Sequence, residues 1–253
     1  MRSLVRTVRS LFVASSLVAV AALPAQAALV NTYGPVDDVW AAPISTGHFL
    51  FDARGMYLLP PTPSAANPSQ LMLPTASLVY GVAPNTEIGL WGQYLFNGLG
   101  TSYASQGLNL LNPYLKYQLP MSLGATTFGL VAGAQIPTQA GMAHNVAMEG
   151  VASIPFTHAV SLDLGLGVGR DMVLSATLEH ANAALYATLP SGQTLLAETY
   201  AYFSDSASTV YGQHVGLLLP VTSNVTTDIS LAIGESSAGF SGYMPQLGVT
   251  LSM

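Results

Sequence analysis

The chain predicts an all-β fold, an antiparallel transmembrane β-barrel of about 12 strands with both termini on the periplasmic side. Three observations predict it. Segments of about ten to thirteen residues alternate apolar with polar or small side chains, the period of a strand with two unlike faces. Only 7% of the 253 residues are charged while 50% are hydrophobic, against about 25% charged in an ordinary soluble domain. Prolines also recur at near-regular intervals: Pro84, Pro120, Pro155, Pro190 and Pro220. Each closes an apolar run and opens a short polar turn, so the repeating unit reads as a β-hairpin followed by a longer loop. Helical repeat arrays share a period of about 35 residues, but these segments alternate with period 2 and are rich in Thr, Val, Tyr and Gly.

The first 27 residues read as an export signal. Arg2, Arg6 and Arg9 form a basic start, Leu11 to Leu23 an apolar stretch, and Ala25-Gln26-Ala27 a small-x-small cleavage site, so the mature chain is expected to begin at Ala28. The apolar stretch is shorter than the roughly 20 residues that cross a bilayer as a helix. Removing the signal leaves Arg54, Lys116 and Arg170 against 12 acids, a net charge of −9. No later segment holds 18 uninterrupted apolar residues, so hydrophobicity is spread through strands as a membrane barrel requires. The absence of cysteine excludes thiolate nucleophiles, thiolate metal sites and iron–sulfur clusters. The expected location is the outer membrane of a Gram-negative-type bacterium, with its lipids and the barrel-assembly machinery as partners.

The strands are expected near 48–59, 70–82, 86–97, 107–119, 125–137, 145–156, 160–171, 174–188, 193–204, 208–219, 225–236 and 241–253. Most match the 9–11 residues of a tilted membrane-crossing strand. The first is followed by the long loop PPTPSAANPS and the second by the turn at Pro84. In the third, Ile88, Leu90, Tyr94 and Phe96 oppose Glu87, Gly89 and Gln93, and the loop GLGTSYASQ follows. The fourth points Asn112, Lys116 and Gln118 away from Leu111, Leu115 and Tyr117, and turns at Pro120. The fifth precedes the loop TQAGMAH and the sixth ends at Pro155. In the seventh, Val160, Leu162, Leu164, Leu166 and Val168 oppose Ser161, Asp163, Gly165, Gly167 and Gly169. The eighth to tenth are ambiguous, because His180, Asn182 and His214 have apolar neighbours in either register. In the eleventh, Ile229, Leu231 and Ile233 oppose Asp228, Ser230 and Ala232, and the twelfth keeps Tyr243, Leu247, Val249 and Leu251 on one face. A Lys or Arg facing lipid near the midplane costs about 2–4 kcal/mol, so the polar faces line the lumen.

Short proline turns on one side and long loops on the other match the periplasmic and extracellular ends of such barrels. Tyr80, Tyr94, Phe96, Tyr117, Phe156, Tyr202, Phe203, Tyr211 and Tyr243 lie near strand ends, where aromatic rings form interfacial girdles or simply follow strand propensity. Residues 28–47 do not alternate. They form either a disordered periplasmic tail or a partial plug, for which Asp37, Asp38 and Trp40 are the side chains to use.

The charges projected inward are the candidate functional set: Asp52, Arg54, Glu87, Lys116, Glu149, Asp163, Arg170 and Asp228, with Glu179 and Glu198 from unclear registers. Rings of like charge in a narrow pore select counter-ions, whereas mutually paired charges only hold the barrel together. Three bases cannot pair every acid, which favours a wet or partly wet lumen. The five histidines lack metal-ligand spacing, and no cofactor is implied. There is no G-x-S-x-G elbow, no phosphate-binding glycine loop and no basic patch for nucleic acid. The run GLGVGR at Gly165 to Arg170 opens no helix, and its glycines read as space for bulky neighbours. His180 and His214 with nearby serines leave open a lipase on the outer wall. A plugged structural or adhesin barrel and a secreted soluble β-protein are also compatible with the sequence.

Short motifs resemble the outer-membrane transporters of the MetA pathway of phenol degradation. They are APISTGHFLFDARGMY at the start of the first strand, LVYGVAPNTEIGLWGQY across the second hairpin, LLNPYLKYQL in the fourth strand and PVTSNVTTDISLAIG late in the chain. Together they span most of residues 43–234. The resemblance implies a 12-stranded barrel that passes small solutes, aromatic or other apolar compounds among them. The chain departs from the pattern at its last residue, Met253, where outer-membrane strands commonly finish in Phe.

Overall fold

The computed structural model describes residues 41–59, 70–97, 105–138, 144–172, 175–205, 209–236 and 241–253. The predicted signal, the residues Asp37, Asp38 and Trp40, and most of the three long loops lie outside the described residues. Twelve strands form one closed antiparallel barrel: β1 Phe49–Leu58, β2 Gln70–Ala83, β3 Thr86–Asn97, β4 Ser105–Leu123, β5 Thr126–Pro137, β6 Asn145–Pro155, β7 Val160–Asp171, β8 Thr177–Thr188, β9 Thr194–Ser204, β10 Val210–Thr222, β11 Val225–Ser236 and β12 Ser241–Ser252. Every strand pairs with its sequence neighbours, and β1 pairs with β12 to close the wall. Closure leaves no unpaired edge, the condition for backbone to cross hydrocarbon. At the seam, Phe49 and Met253 exchange backbone hydrogen bonds of 2.8 Å in both directions.

The faces are inverted relative to a soluble protein. Leu166, Leu247 and Ile229 are exposed on the outer wall, whereas Glu87 and Glu149 are 0% exposed inside. Alternation therefore divides lipid from lumen, and the low charge follows, since the outer face is apolar by necessity. Phe49 stacks on Tyr80 at 4.4 Å, and Tyr117 and Phe156 are exposed toward the turn end of the wall. Phe203, Tyr211 and Tyr243 are exposed near the opposite end. Tyr202 is not part of either group. It is buried inside the barrel and stacks on His180 at 4.5 Å.

Two of the five prolines sit differently from the turn positions expected. Pro120 lies within β4 and Pro220 within β10, each at an exposed position where the pairing register shifts. A proline has no N–H for the ladder, and a bulge is where a strand tolerates that loss. The turn after β2 is tighter: Asn85 follows Pro84 at φ 63°, the pairing of Pro and a left-handed residue that a type II turn needs.

Candidate functional site

The interior is built from side chains placed by alternation and brought level by strand register. Glu87, Lys116, Val131, Glu149, Gly167, His180 and Tyr202 face one another in succession from β3 to β9. Glu87 and Lys116 are direct cross-strand neighbours, with Nζ 3.0 Å from Oε1. The Tyr114 hydroxyl donates to the same Oε1 at 3.1 Å. Glu149 and His180 meet differently. They reach over β7 because Gly167 stands between them, and Nδ1 comes to 3.6 Å of Oε1, an electrostatic contact longer than a hydrogen bond. Glu198 and His214 are direct cross-strand partners on β9 and β10, 3.7 Å apart.

A second cluster bridges the seam. Arg54 holds Asp52, its neighbour two residues back on the same face of β1, through Nε and Nη2 at 2.8–2.9 Å. Thr250 of β12 donates to Asp52 Oδ2 at 2.9 Å. Arg54 Nη1 also lies 3.6 Å from Asp228 of β11. That contact spans β12 at Gly248, where a Cβ would overlap the Asp228 carboxylate. Glycine on the intervening strand is thus what lets Asp228 reach Arg54.

Seven of the eight expected lumen charges lie inside: Asp52, Arg54, Glu87, Lys116, Glu149, Asp163 and Asp228, none more than 5% exposed. Such burial places them within the barrel and not on its outer wall. Arg170 is the exception. It shares the outward parity of Leu164, Leu166 and Val168, is exposed at the end of β7, and its Nη1 lies 3.4 Å from Thr177 Oγ1. Its place at the strand end removes the lipid penalty that would forbid a charge at mid-wall. Asp171, the next residue, takes the inward position. Glu179 is likewise exposed and outward, whereas Glu198 is inward.

His180 and His214 face the interior, each against a carboxylate. A catalytic pair built from them on the outer wall is therefore ruled out by register. The inward set also includes Gln135, Asn145, Asn182 and Gln246, with Trp91, Tyr114, Tyr186 and Tyr200. A signal for several of them was present in the glycines: Gly89 makes room for the Tyr114 ring, Gly212 for Tyr200, and Gly165 for Asn182 and Glu149.

The turn end of the lumen is occupied by the chain itself. Before β1 the backbone bends at Gly47, whose φ of 82° is open to glycine, and residues 41–46 run into the barrel. Ile44 N–H donates to Glu87 Oε2 at 2.8 Å, and Ala41 N–H to Ser153 Oγ at 3.1 Å. Ile44 packs on an inward cluster of Val79, Tyr114, Val131 and Val151.

No family model and no curated protein matches the sequence. Solved structures do match. An outer membrane channel from Pseudomonas putida F1 superposes with a TM-score of 0.64 at 9% identity, covering 84% of this chain and 98% of that one. The NanC porin gives 0.62 at 10%, covering 79% and 98%. A KdgM porin in complex with disordered oligogalacturonate gives 0.55 at 12%, covering 81% and 99%. The chain thus has the closed 12-strand antiparallel fold of outer-membrane barrels.

Proposed function

We propose that the protein is an outer-membrane channel for passive passage of small solutes. What carries this reading is a closed barrel with an apolar outer wall, a strongly polar inner wall and the fold of known channels and porins. The short motifs that resemble the phenol-degradation transporters point further, to aromatic or other apolar compounds as solutes. The inner wall carries the rings of Trp91, Tyr114, Tyr200 and Tyr202, buried in the closed barrel; rings uncovered on opening would give such compounds flat apolar contact. Lipids of the outer membrane and the barrel-assembly machinery are the partners this reading requires.

A second reading is favoured by the segment at the turn end and by the near-complete burial of the inward charges: a barrel plugged at rest. The two readings are separated by recording full-length protein in planar bilayers and by following swelling of liposomes in small aromatic solutes. A channel shows discrete conductance steps or solute-dependent swelling. Silence in both assays, from protein whose gel mobility is heat-modifiable, leaves the plugged structural barrel.

A further inference from the structure

The inner wall carries a receptor shaped for residues 41–46. Two inward glycines lie where that segment crosses. A Cβ at Gly81 would overlap the Ser45 carbonyl oxygen, and one at Gly129 would come within 2.9 Å of the Ala41 carbonyl oxygen. Both obstacles are backbone atoms, which cannot swing aside as a side-chain tip can. Gly81 also ties the segment at its root, accepting from Gly47 N–H at 2.8 Å and donating to His48 C=O at 3.1 Å.

Between these cradles stands Glu87. Its Oε1 is held by Lys116 and Tyr114, which leaves Oε2 aimed at the Ile44 N–H. We propose that Glu87 is a latch: its carboxylate, oriented by Lys116 and Tyr114, holds residues 41–46 across the turn end, and loss of that bond lets the segment leave the bore. This rests on the plugged reading above and adds which group controls it. A hydrogen bond to an ionised acceptor is roughly twice as strong as a neutral one, and deep in a barrel water competes weakly for it. Among the described residues, the segment is otherwise held by the neutral bond of Ala41 to Ser153, by the packing of Ile44, and at its root by the backbone bonds at Gly81. The latch is therefore its strongest single polar attachment inside the bore.

The chain has no cysteine, so Ala41→Cys supplies one thiol at a position that is 0% exposed. The probe is a membrane-impermeant maleimide, applied to full-length barrels in detergent and in liposomes. Three proteins are compared: Ala41→Cys alone, with Glu87→Gln, and with Gly81→Ala. Slow labelling is expected in the first, and labelling faster by about tenfold or more in the other two, together with raised conductance. The Gly81→Ala variant displaces the segment without touching any charge, so the test survives if Glu87→Gln, which takes the carboxylate from Lys116, folds poorly. Fast labelling already in the first protein overturns the plugged reading. Slow labelling there and equally slow labelling with Glu87→Gln, while Gly81→Ala labels fast, overturns the latch and leaves the plug. Slow labelling in all three overturns both the latch and the cradle at Gly81.

Discussion

At the scale of single residues, inward glycines decide where the large polar groups go. Gly165 illustrates this: a Cβ there would overlap Asn182 Oδ1 and Glu149 Oε1, so both side chains lie over its backbone. Both obstructing atoms are the far ends of flexible side chains. Gly165→Ser is therefore expected to shift Glu149 and Asn182 while leaving the wall intact. Leu164, its outward neighbour, faces lipid, and Leu164→Arg places a charge in hydrocarbon at a cost of about 2–4 kcal/mol near the midplane. Folding yield into lipid vesicles, read by heat-modifiable gel mobility, should fall sharply for Leu164→Arg and little for Gly165→Ser. Equal yields would mean that the register of β7 is wrong. The orientation of β7 is legible in the sequence because Asp163 and the glycines alternate strictly with Leu and Val. That of β8 is not, because Ala181, Ala183 and Ala184 are small enough for either face. Once Gly165 and Gly167 are inward, the bulky groups opposite them on β8, Asn182 and His180, must be inward too. Arg170 escapes the sequence pattern for a related reason: parity alone puts it outside, and only its place at the end of the strand makes that tolerable.

At the scale of elements, the weak point of a barrel is the seam where its first strand meets its last. Here β1 and β12 pair from Leu50↔Ser252 to Met56↔Gln246, and Arg54 ties β1 inward to Asp52 and across β12 to Asp228. Removing one partner of a buried ionic cluster costs about 3–5 kcal/mol, because the remaining charges are stranded. Arg54→Ala leaves two buried carboxylates facing each other and should lower the urea midpoint of the lipid-inserted barrel more than Asp228→Asn. In the latter, Arg54 still holds Asp52 through three contacts of 2.8–2.9 Å. A smaller effect from Arg54→Ala than from Asp228→Asn would deny the seam its ionic tie. The strands themselves are legible to within a few residues from alternation and turns. Their ends are less so where β4 and β10 run on past Pro120 and Pro220, because a bulge hides the missing N–H and the sequence pattern shows only the proline. The seam tie is invisible in the sequence, since it depends on residues 52, 228 and 250 becoming neighbours through closure.

At the scale of the whole molecule, the interior holds an excess of acid among the described residues. Asp52, Glu87, Glu149, Asp163, Asp171, Glu198 and Asp228 face inward against Arg54 and Lys116. His180 and His214 stand opposite two of the acids, and each offsets a full charge only when protonated. A narrow passage between low-dielectric walls concentrates the field of such an excess, while salt screens it over about 10 Å at 0.1 M. The open barrel is therefore expected to prefer cations, more strongly at low salt. Replacing Asp163 and Asp228 together with Asn removes two of these charges, one at β7 and one near the seam, and should reduce the preference. The measurement is the reversal potential under a salt gradient, made on full-length protein and on the Gly81→Ala variant, in which the turn end is expected to be clear. The displaced segment matters to the outcome, because among the described residues it brings only uncharged ones, 41–46, into the bore. Its removal should raise conductance without changing the sign of selectivity. An anion preference in either protein would show that the inward bases control the path. An unchanged potential in the double replacement would show that ions bypass both acids.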